Sequence, residues 1–179
     1  MKNLREQNNT MYFDPQVSAK CESAIEEKFS YHINKYLASP LKLIPQFPAS
    51  TAWGNFRLDF TYTFDNGYKV AFECDGKDFH DGWRDEWRDA LILGSGLVNR
   101  IFRIPGSAIY HHIEDTLFII SKIEPKLFST RGLTNLKALA SNHVESFTPN
   151  PSRMYIHMSY PSSDIRLEYR PKSTENNEK

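Results

Sequence analysis

The chain has 179 residues, enough for one domain with a buried core, and its 22 Lys and Arg balance 22 Asp and Glu. This neutrality excludes a global electrostatic attraction to nucleic acid. No apolar run reaches the length of a membrane span, the polar start MKNLREQNNT lacks the apolar region of a secretion signal, and two cysteines are too few for a disulfide framework or a zinc-finger array. We therefore expect a cytoplasmic globular protein without a membrane partner.

A helix is predicted near the N-terminus. Asp14 and Pro15 form a typical helix start, in which a capping carboxylate is followed by proline in the first turn. Apolar residues then recur at helical spacing between residues 17 and 36, so the helix is expected to continue to about Leu37. The next segment, LKLIPQF, predicts a short strand, which its proline makes irregular or places at a sheet edge.

The segment FRLDFTYTF-DNG-YKVAFECD predicts a β-hairpin. Its first half alternates strictly between apolar and polar residues, as in a half-buried strand. Asp65-Asn66-Gly67 suits a three-residue loop that is closed by a glycine in the left-handed region. The second strand is expected from Tyr68 to Asp75.

The loop length sets the pairing of these two strands. The apolar residues then pair on one face, in the order Phe64–Tyr68, Tyr62–Val70, Phe60–Phe72 and Leu58–Cys74. On the opposite face Asp59 lies directly across from Glu73, with Cβ atoms roughly 4.5–5.5 Å apart. Arg57 lies across from Asp75 on that same face. A loop shorter by one residue would put Asp59 and Glu73 on different faces.

The rest of the chain alternates between helices and strands. One helix is predicted to bury a stripe formed by Trp83, Trp87, Ala90 and Leu91 and to end at Gly94 or Gly96. LVNRIFRI is apolar on both faces and predicts an interior strand. SAIYHHIEDTLFIISKI predicts a helix with Ile109, Ile113, Leu117 and Ile120 inward, a weaker helix follows over residues 133–140, and RMYIHMSY with DIRLEYR predicts a second hairpin.

This order of elements predicts an α/β fold, a mixed β-sheet flanked by helices, with a C-terminal helix and β-hairpin appended to it. We expect a flexible N-terminus over residues 1–13, a core over residues 14–125, the appended helix and hairpin over residues 126–172, and a disordered tail over residues 173–179.

The hairpin concentrates acidic residues. Two acids directly opposite each other in a sheet repel, and a hard cation such as Mg²⁺, held by one or two carboxylates and a substrate phosphate, would offset the repulsion between Asp59 and Glu73. Asp75 adds an oxygen donor on the same face, and Lys77 can reach a phosphate or lower the pKa of an attacking water. The alternative is that Asp59 is solvated and Asp75 pairs with Arg57.

Two acids on the first helix are also candidates. Glu22 and Glu26 lie four residues apart, where like charges repel weakly, and both flank the apolar stripe. An acid at the edge of a packed face can lean over the sheet and join a metal shell. The alternative is that Glu22 and Glu26 are an ordinary pair of solvated glutamates on the surface.

Several segments together resemble the PD-(D/E)XK nuclease superfamily. They are SAIEEKF, PQF, FRLDF, FECDGKDFH and RDEWRDALILGSGLVNRIFRI, and they cover roughly residues 18–120. Within the superfamily, the sequence is most similar to the small domains related to very-short-patch-repair endonucleases. The resemblance implies a restriction-endonuclease-like fold and hydrolysis of phosphodiester bonds with Mg²⁺ or Mn²⁺, and DNA is the expected substrate.

Residue by residue, the resemblance implies the following metal and water roles. Glu26 is the helix acid, Asp59 is the central metal ligand and Glu73 is the second ligand from the strand. His80 matches a histidine that helps to handle the attacking water.

The resemblance also implies substrate contacts. Gln46 matches a glutamine that often precedes the aspartate strand. Arg88 and Arg103 match the following helix and strand, where they would serve as scaffold and as phosphate contacts.

One departure from the superfamily pattern concerns the motif lysine, which usually stands two residues after the strand acid. Counted from Glu73, that position is Asp75; counted from Asp75, it is Lys77. Either Glu73 is the acid and the lysine has moved, or the triplet Asp75-Gly76-Lys77 carries the motif. The register favours Glu73 as the ligand, and both Asp75 and Lys77 are retained as members of the active site.

The sequence thus predicts a metal-dependent endonuclease with nucleic acid as its partner. The displaced lysine and the neutral charge leave open a nuclease fold that binds nucleic acid or a protein without cutting. A further alternative is a subunit that cuts only within a larger transposition or phage-defence assembly. That assembly, or a homodimer, would form through residues 126–172.

Two other patterns carry less weight. His111-His112 lies beside Glu114 and Asp115 on a predicted helix, but adjacent helical positions do not face the same side, which argues against a metal site there. The two tryptophans at 83 and 87 could stack on bases, yet their spacing favours a core stripe.

Overall fold

The structure is a computed structural model, and it describes residues 15–76, 82–150, 155–161 and 164–171. The helices in these ranges are α1 (Pro15–Ser18), α2 (Ala24–Asn34), α3 (Gly82–Gly94), α4 (Gly106–His111), α5 (Ile113–Ile123), α6 (Thr130–Leu139) and α7 (Asn142–Glu145). The strands are β1 (Leu43–Thr51), β2 (Gly54–Thr63), β3 (Lys69–Asp75), β4 (Arg100–Pro105), β5 (Tyr155–Ser159) and β6 (Asp164–Pro171). None of the helices in the described ranges has both the length and the apolar character of a membrane span.

The described strands form one six-stranded mixed sheet in the order β1-β2-β3-β4-β6-β5. β3 and β4 run parallel, and the other neighbours are antiparallel. The predicted interior strand is therefore confirmed as β4. The C-terminal hairpin is not an addition beside the sheet, because β6 pairs with β4 and extends the same sheet.

The first hairpin follows the predicted loop and register. Phe64 N–H donates to Tyr68 O at 2.8 Å, and Gly67 closes the loop with φ of 82°. The pairing Tyr62–Val70 and Phe60–Phe72 is confirmed. The composition of the loop alone was enough to predict this part of the sheet, because turn type and strand register are coupled.

Two of the predicted helices are each divided. The N-terminal helix breaks before α2, because Ser23 starts a new helix: its Oγ accepts the N–H of Glu26 at 3.2 Å and donates to the Glu26 carboxylate at 2.8 Å. Asp14, the predicted cap, lies outside the described residues. The later helix divides into α4 and α5 at His112. Its four predicted inward residues are all buried.

Helices cover both faces of the sheet. Along β3, Val70 and Phe72 lie in an apolar cluster with α2, α4 and α5, whereas Ala71 lies in a second cluster with Ile92 of α3. Successive strand residues point to opposite faces, so these clusters occupy the two sides of the sheet. The end of β3 is thus enclosed between α2 and α3.

β2 changes face partway along its length. Phe60 lies in the first cluster, whereas Leu58 lies in the second. The single-face stripe predicted for residues 56–64 is therefore wrong, and so is the predicted Leu58–Cys74 pair, because Cys74 packs against the first cluster. The change coincides with Gln46 of β1, whose φ of 51° lies in the left-handed region and interrupts the strand alternation.

The predicted stripe of α3 is also wrong. Trp87 is 62% exposed and Ala90 is exposed, whereas Asp89 is fully buried together with Ile92. The side chain of Trp83 lies outside the described residues. α3 therefore presents a face to the sheet that is partly charged, which is possible only because Asp89 has a buried cationic partner, described below.

Gly132 offers a test of the packing between α6 and the end of α2. A Cβ at this position would lie 2.9 Å from Tyr36 Cα and C, inside van der Waals contact with fixed backbone. We expect Gly132→Ala to lower the free energy of unfolding by about 1–3 kcal/mol or more, measured by urea denaturation. Gly94→Ala is the matched control, because nothing lies within 4 Å of its Cβ position. Equal stability of the two variants would contradict this packing.

Candidate active site

Asp59 lies where β2 separates from β3. The last described pair of these strands is Phe60–Phe72, and beyond it the N–H of Cys74 donates to Asp59 Oδ2 at 2.7 Å. The carboxylate of Asp59 thus accepts a hydrogen bond from a backbone N–H that lies beyond the last pair of β2 and β3. The predicted direct backbone pairing of Asp59 with Glu73 is therefore not part of the described ladder.

Glu73 lies on β3 with its side chain on the α3 side of the sheet. The residue is 4% exposed. Its Oε2 forms an ion pair with Arg88 Nη1 at 3.0 Å. Its Oε1 is buried and has no hydrogen-bond partner among the described residues. A buried carboxylate with one unsatisfied oxygen is costly, so this atom calls for a ligand.

Asp59 and Glu73, which we call the carboxylate pair, influence each other electrostatically. Burial raises the pKa of Glu73 from 4.5 to about 8, and the charge of Asp59 adds to this, against the opposing effect of Arg88. Burial also raises the pKa of Asp59 from 3.8 to about 6, with a further contribution from Glu26 and against the hydrogen bond from Cys74. Without a cation, burial and the neighbouring acid disfavour the ionised form of both carboxyl groups.

Glu26 is close to the pair but is already engaged. Its Oε1 accepts from Ser23 Oγ, and its Oε2 accepts from Glu22 N–H at 3.0 Å and from Gln46 Nε2 at 2.7 Å. The glutamate therefore caps its own helix and binds β1. Gln46, predicted as a substrate contact, instead connects the strained point of β1 to α2.

Arg103 is buried and bound by several acids. Its Nε and Nη2 donate to the two carboxylate oxygens of Asp89 at 2.7 and 2.9 Å, and its Nη1 donates to Asp75 at 2.9 Å. Asp85 lies 3.6 Å away. With its guanidinium engaged inside the protein, Arg103 has the contacts of a scaffold residue, and its predicted phosphate contact stays a prediction.

The predicted partner of Asp75 is likewise replaced. Arg57 pairs with Glu22 on the surface, and Asp75 pairs with Arg103. Arg103 thereby holds the end of β3 against α3. The residue of β3 that it contacts, Asp75, lies two positions after Glu73 in the sequence.

The remaining predicted site residues, Lys77 and His80, lie outside the described residues. The acidic neighbours of the two histidines at 111 and 112 contact other residues: Glu114 contacts His32 at 3.2 Å, and Asp115 accepts from Ser141 N–H at 2.7 Å. The ring of His112 stacks on Tyr160, whose hydroxyl donates to Asp115.

The carboxylate pair fits a hard divalent cation. Glu73 Oε1 is an oxygen without a hydrogen-bond partner in the described part of the chain, and Mg²⁺ is usually held by only one or two carboxylates, with water and phosphate completing its shell. No group of three or more His, Cys, Asp or Glu side chains within the described ranges is placed to hold a metal ion. The pair would therefore act as a two-carboxylate site.

Sequence reasoning missed Asp89 as a structural residue and gave Arg88 no partner. Both lie on the inward face of α3, and the spacing of apolar residues alone does not identify this face. The signal that could have found them is the pattern Asp85, Arg88, Asp89, whose spacing of three and four residues places charges on one helical face.

Comparison with known proteins gives no match: no family model, curated protein or solved structure matches the chain.

The raised pKa values predict a pH dependence of stability in the presence of a chelator. Because folded Glu73 binds its proton more tightly than unfolded Glu73, its contribution is fully present below about pH 4.5 and is lost as the pH rises to about 8. The free energy of unfolding should therefore fall across this window, with a slope of at most about 1.4 kcal/mol per pH unit for this group.

Glu73→Gln should flatten this decline. Asp59→Asn should flatten it mainly below about pH 6, and because the Asp59 charge also raises the pKa of Glu73, the decline should then end at a lower pH than in the wild type. Urea denaturation at a series of pH values measures both. Curves of wild type and Glu73→Gln that run parallel from pH 5 to pH 8 would contradict the assignment.

The contact between Asp89 and Arg103 predicts a large stability effect. Asp89→Ala leaves a buried guanidinium without its two-oxygen partner and should cost about 3–5 kcal/mol. Asp85→Ala, which removes a longer and more exposed contact to the same arginine, should cost much less. Guanidinium chloride denaturation of the two variants gives the comparison, and equal losses would show that Asp89 does not hold Arg103.

Proposed function

We propose that this protein is a metal-dependent endonuclease that hydrolyses phosphodiester bonds, with DNA as the preferred substrate. The observation that carries the proposal is the buried Oε1 of Glu73, which has no hydrogen-bond partner within the described ranges and lies in the electrostatic field of Asp59. Two acids brought together at the end of a strand, one with a free oxygen, are poorly explained by stability alone, since burying them is unfavourable. Asp59 and Glu73 would hold a cation that could also take a phosphate oxygen, and its positive charge would offset this cost.

The course of the chain supports the proposal. The segments that carry the resemblance form α2, the meander β1-β2-β3, α3 and β4; the four strands are consecutive neighbours in the sheet, with β4 parallel to β3. The acids of β2 and β3 come together where β2 separates from β3, and α2 places Glu26 within electrostatic range of Asp59.

Each residue then has a defined task. Asp59 and Glu73 would hold Mg²⁺ or Mn²⁺, which would lower the pKa of a water and stabilise charge on the phosphate. Glu26 and Gln46 fix the position of β1 and α2 beside Asp59. Arg103 fixes Asp75 at the strand end, two residues before Lys77. Lys77 and His80 are proposed to assist the attacking water.

A second candidate is a nuclease fold that binds nucleic acid or a protein without cutting. Two observations favour it: both oxygens of Glu26 are engaged by the protein, and Arg88 occupies one oxygen of Glu73. A non-cutting protein of this kind would bind oligonucleotides equally well with and without divalent cations. A metal-dependent nuclease would not.

Cleavage of supercoiled plasmid and of single-stranded DNA in Mg²⁺ or Mn²⁺ tests the proposal. Asp59→Asn and Glu73→Gln should each lower the rate by at least about 100-fold, because each removes an anionic cation ligand. Asp65→Asn is the control, since Asp65 lies in the hairpin loop with its side chain 95% exposed. Wild-type protein that cuts neither substrate, or Asp59→Asn that cuts like wild type, would overturn it.

A further inference from the structure

We propose that Arg88 is a built-in competitor of the divalent cation: its guanidinium occupies Glu73 in the cation-free protein and must give up this contact when a cation binds the carboxylate pair. The inference rests on the proposed function only in taking the pair as a cation site. It assigns to Arg88 the control of cation affinity, a role distinct from the predicted phosphate contact.

The first support is the position of the guanidinium. Nη1 lies 3.0 Å from Glu73 Oε2, and Nη2 donates to the backbone carbonyl of Arg57. Arg88 thus connects β3 to β2 near the point where the two strands cease to pair. In the absence of a cation, Arg88 supplies the larger positive contribution at Glu73, to which Arg103 adds, and it also donates to a backbone carbonyl of β2.

The second support is the difference in burial between the two partners. The side chain of Arg88 is 23% exposed, whereas that of Glu73 is 5% exposed. An arginine that already reaches solvent can swing outward and keep its charge hydrated, since its long stem allows many rotamers. Glu73 has no such freedom on an interior strand. If the ion pair opens, Arg88 is the partner that moves.

The third support is the contrast with Arg103. Arg103 is held by both oxygens of Asp89 and by Asp75, with its side chain 6% exposed. Arg88 has one carboxylate contact and one carbonyl contact. Arg103 is therefore fixed in the structure, whereas Arg88 is free to move away from its contacts. Arg88 is also the arginine that contacts Glu73, through Oε2.

The charges explain why the two cations compete. Asp59, Glu73 and Arg88 together carry one net negative charge when all are ionised. A dication added to this group would turn its net charge positive and would lie close to the guanidinium, so that the two like charges repel. Movement of Arg88 away from Glu73 relieves this repulsion and frees Oε2 as a second ligand atom.

Calorimetric titration of the full chain with Mn²⁺, without DNA, tests the inference. Arg88→Met keeps the apolar stem and removes the charge, so Mn²⁺ should bind at least about 10-fold more tightly than to wild type, and the Mn²⁺-induced increase in Tm should be larger. Arg84→Met is the matched control on the exposed side of the same helix and should leave both values unchanged. Equal or weaker binding to Arg88→Met overturns the inference.

Arg88→Lys provides a second test that does not depend on losing the charge. It retains a competing cation, so its Mn²⁺ affinity should stay within about 3-fold of wild type while Arg88→Met differs. If Lys and Met increase the affinity equally, competition by charge is wrong.

The outcomes separate this inference from the proposed function. Tighter binding of Mn²⁺ to Arg88→Met, in a protein that cuts no DNA, supports the competitor and overturns the nuclease. Identical affinities in a protein whose cleavage depends on Asp59 overturn the competitor and support the nuclease. Absence of Mn²⁺ binding from every variant overturns both.

Discussion

The candidate site is organised around the buried carboxylate of Glu73, of which only one oxygen has a protein partner among the described residues. Glu73 is 4% exposed, and its Oε1 has no partner among the described residues. Placing a second acid, Asp59, in its field makes this more costly, and the raised pKa of both groups expresses that cost. Such an arrangement is typical of functional sites, and the function that we propose for it is binding of a cation shared with a phosphate.

The fold produces this arrangement by ending one strand ladder early. The left-handed backbone at Gln46 coincides with the point where β1 and β2 change face, and Asp59 lies there with its carboxylate on the N–H of Cys74. Arg103 holds α3 against the strand end through Asp89. The site is thus made by a local break in a regular sheet, and its surroundings are held rigidly by buried ion pairs.

Part of this could be predicted from the sequence because it is encoded locally. The loop at 65–67 sets the hairpin register through Phe60–Phe72, and the apolar run of β4 marks an interior strand. Pro45 predicts that the first strand is irregular or at an edge, but the change of face at Gln46 could not be predicted, since a positive φ at a non-glycine residue depends on tertiary contacts. The inward face of α3 was missed for the same reason: Asp89 looks like a surface acid until its partner on a distant strand is known.

The most direct test of the account is a crystal structure of the protein soaked with Mn²⁺, with anomalous scattering used to locate the ion. The account predicts one peak in contact with Glu73 Oε1 and the carboxylate of Asp59, with Arg88 withdrawn from Glu73. A crystal saturated with Mn²⁺ that shows no peak there, and retains the ion pair between Arg88 and Glu73, would contradict it.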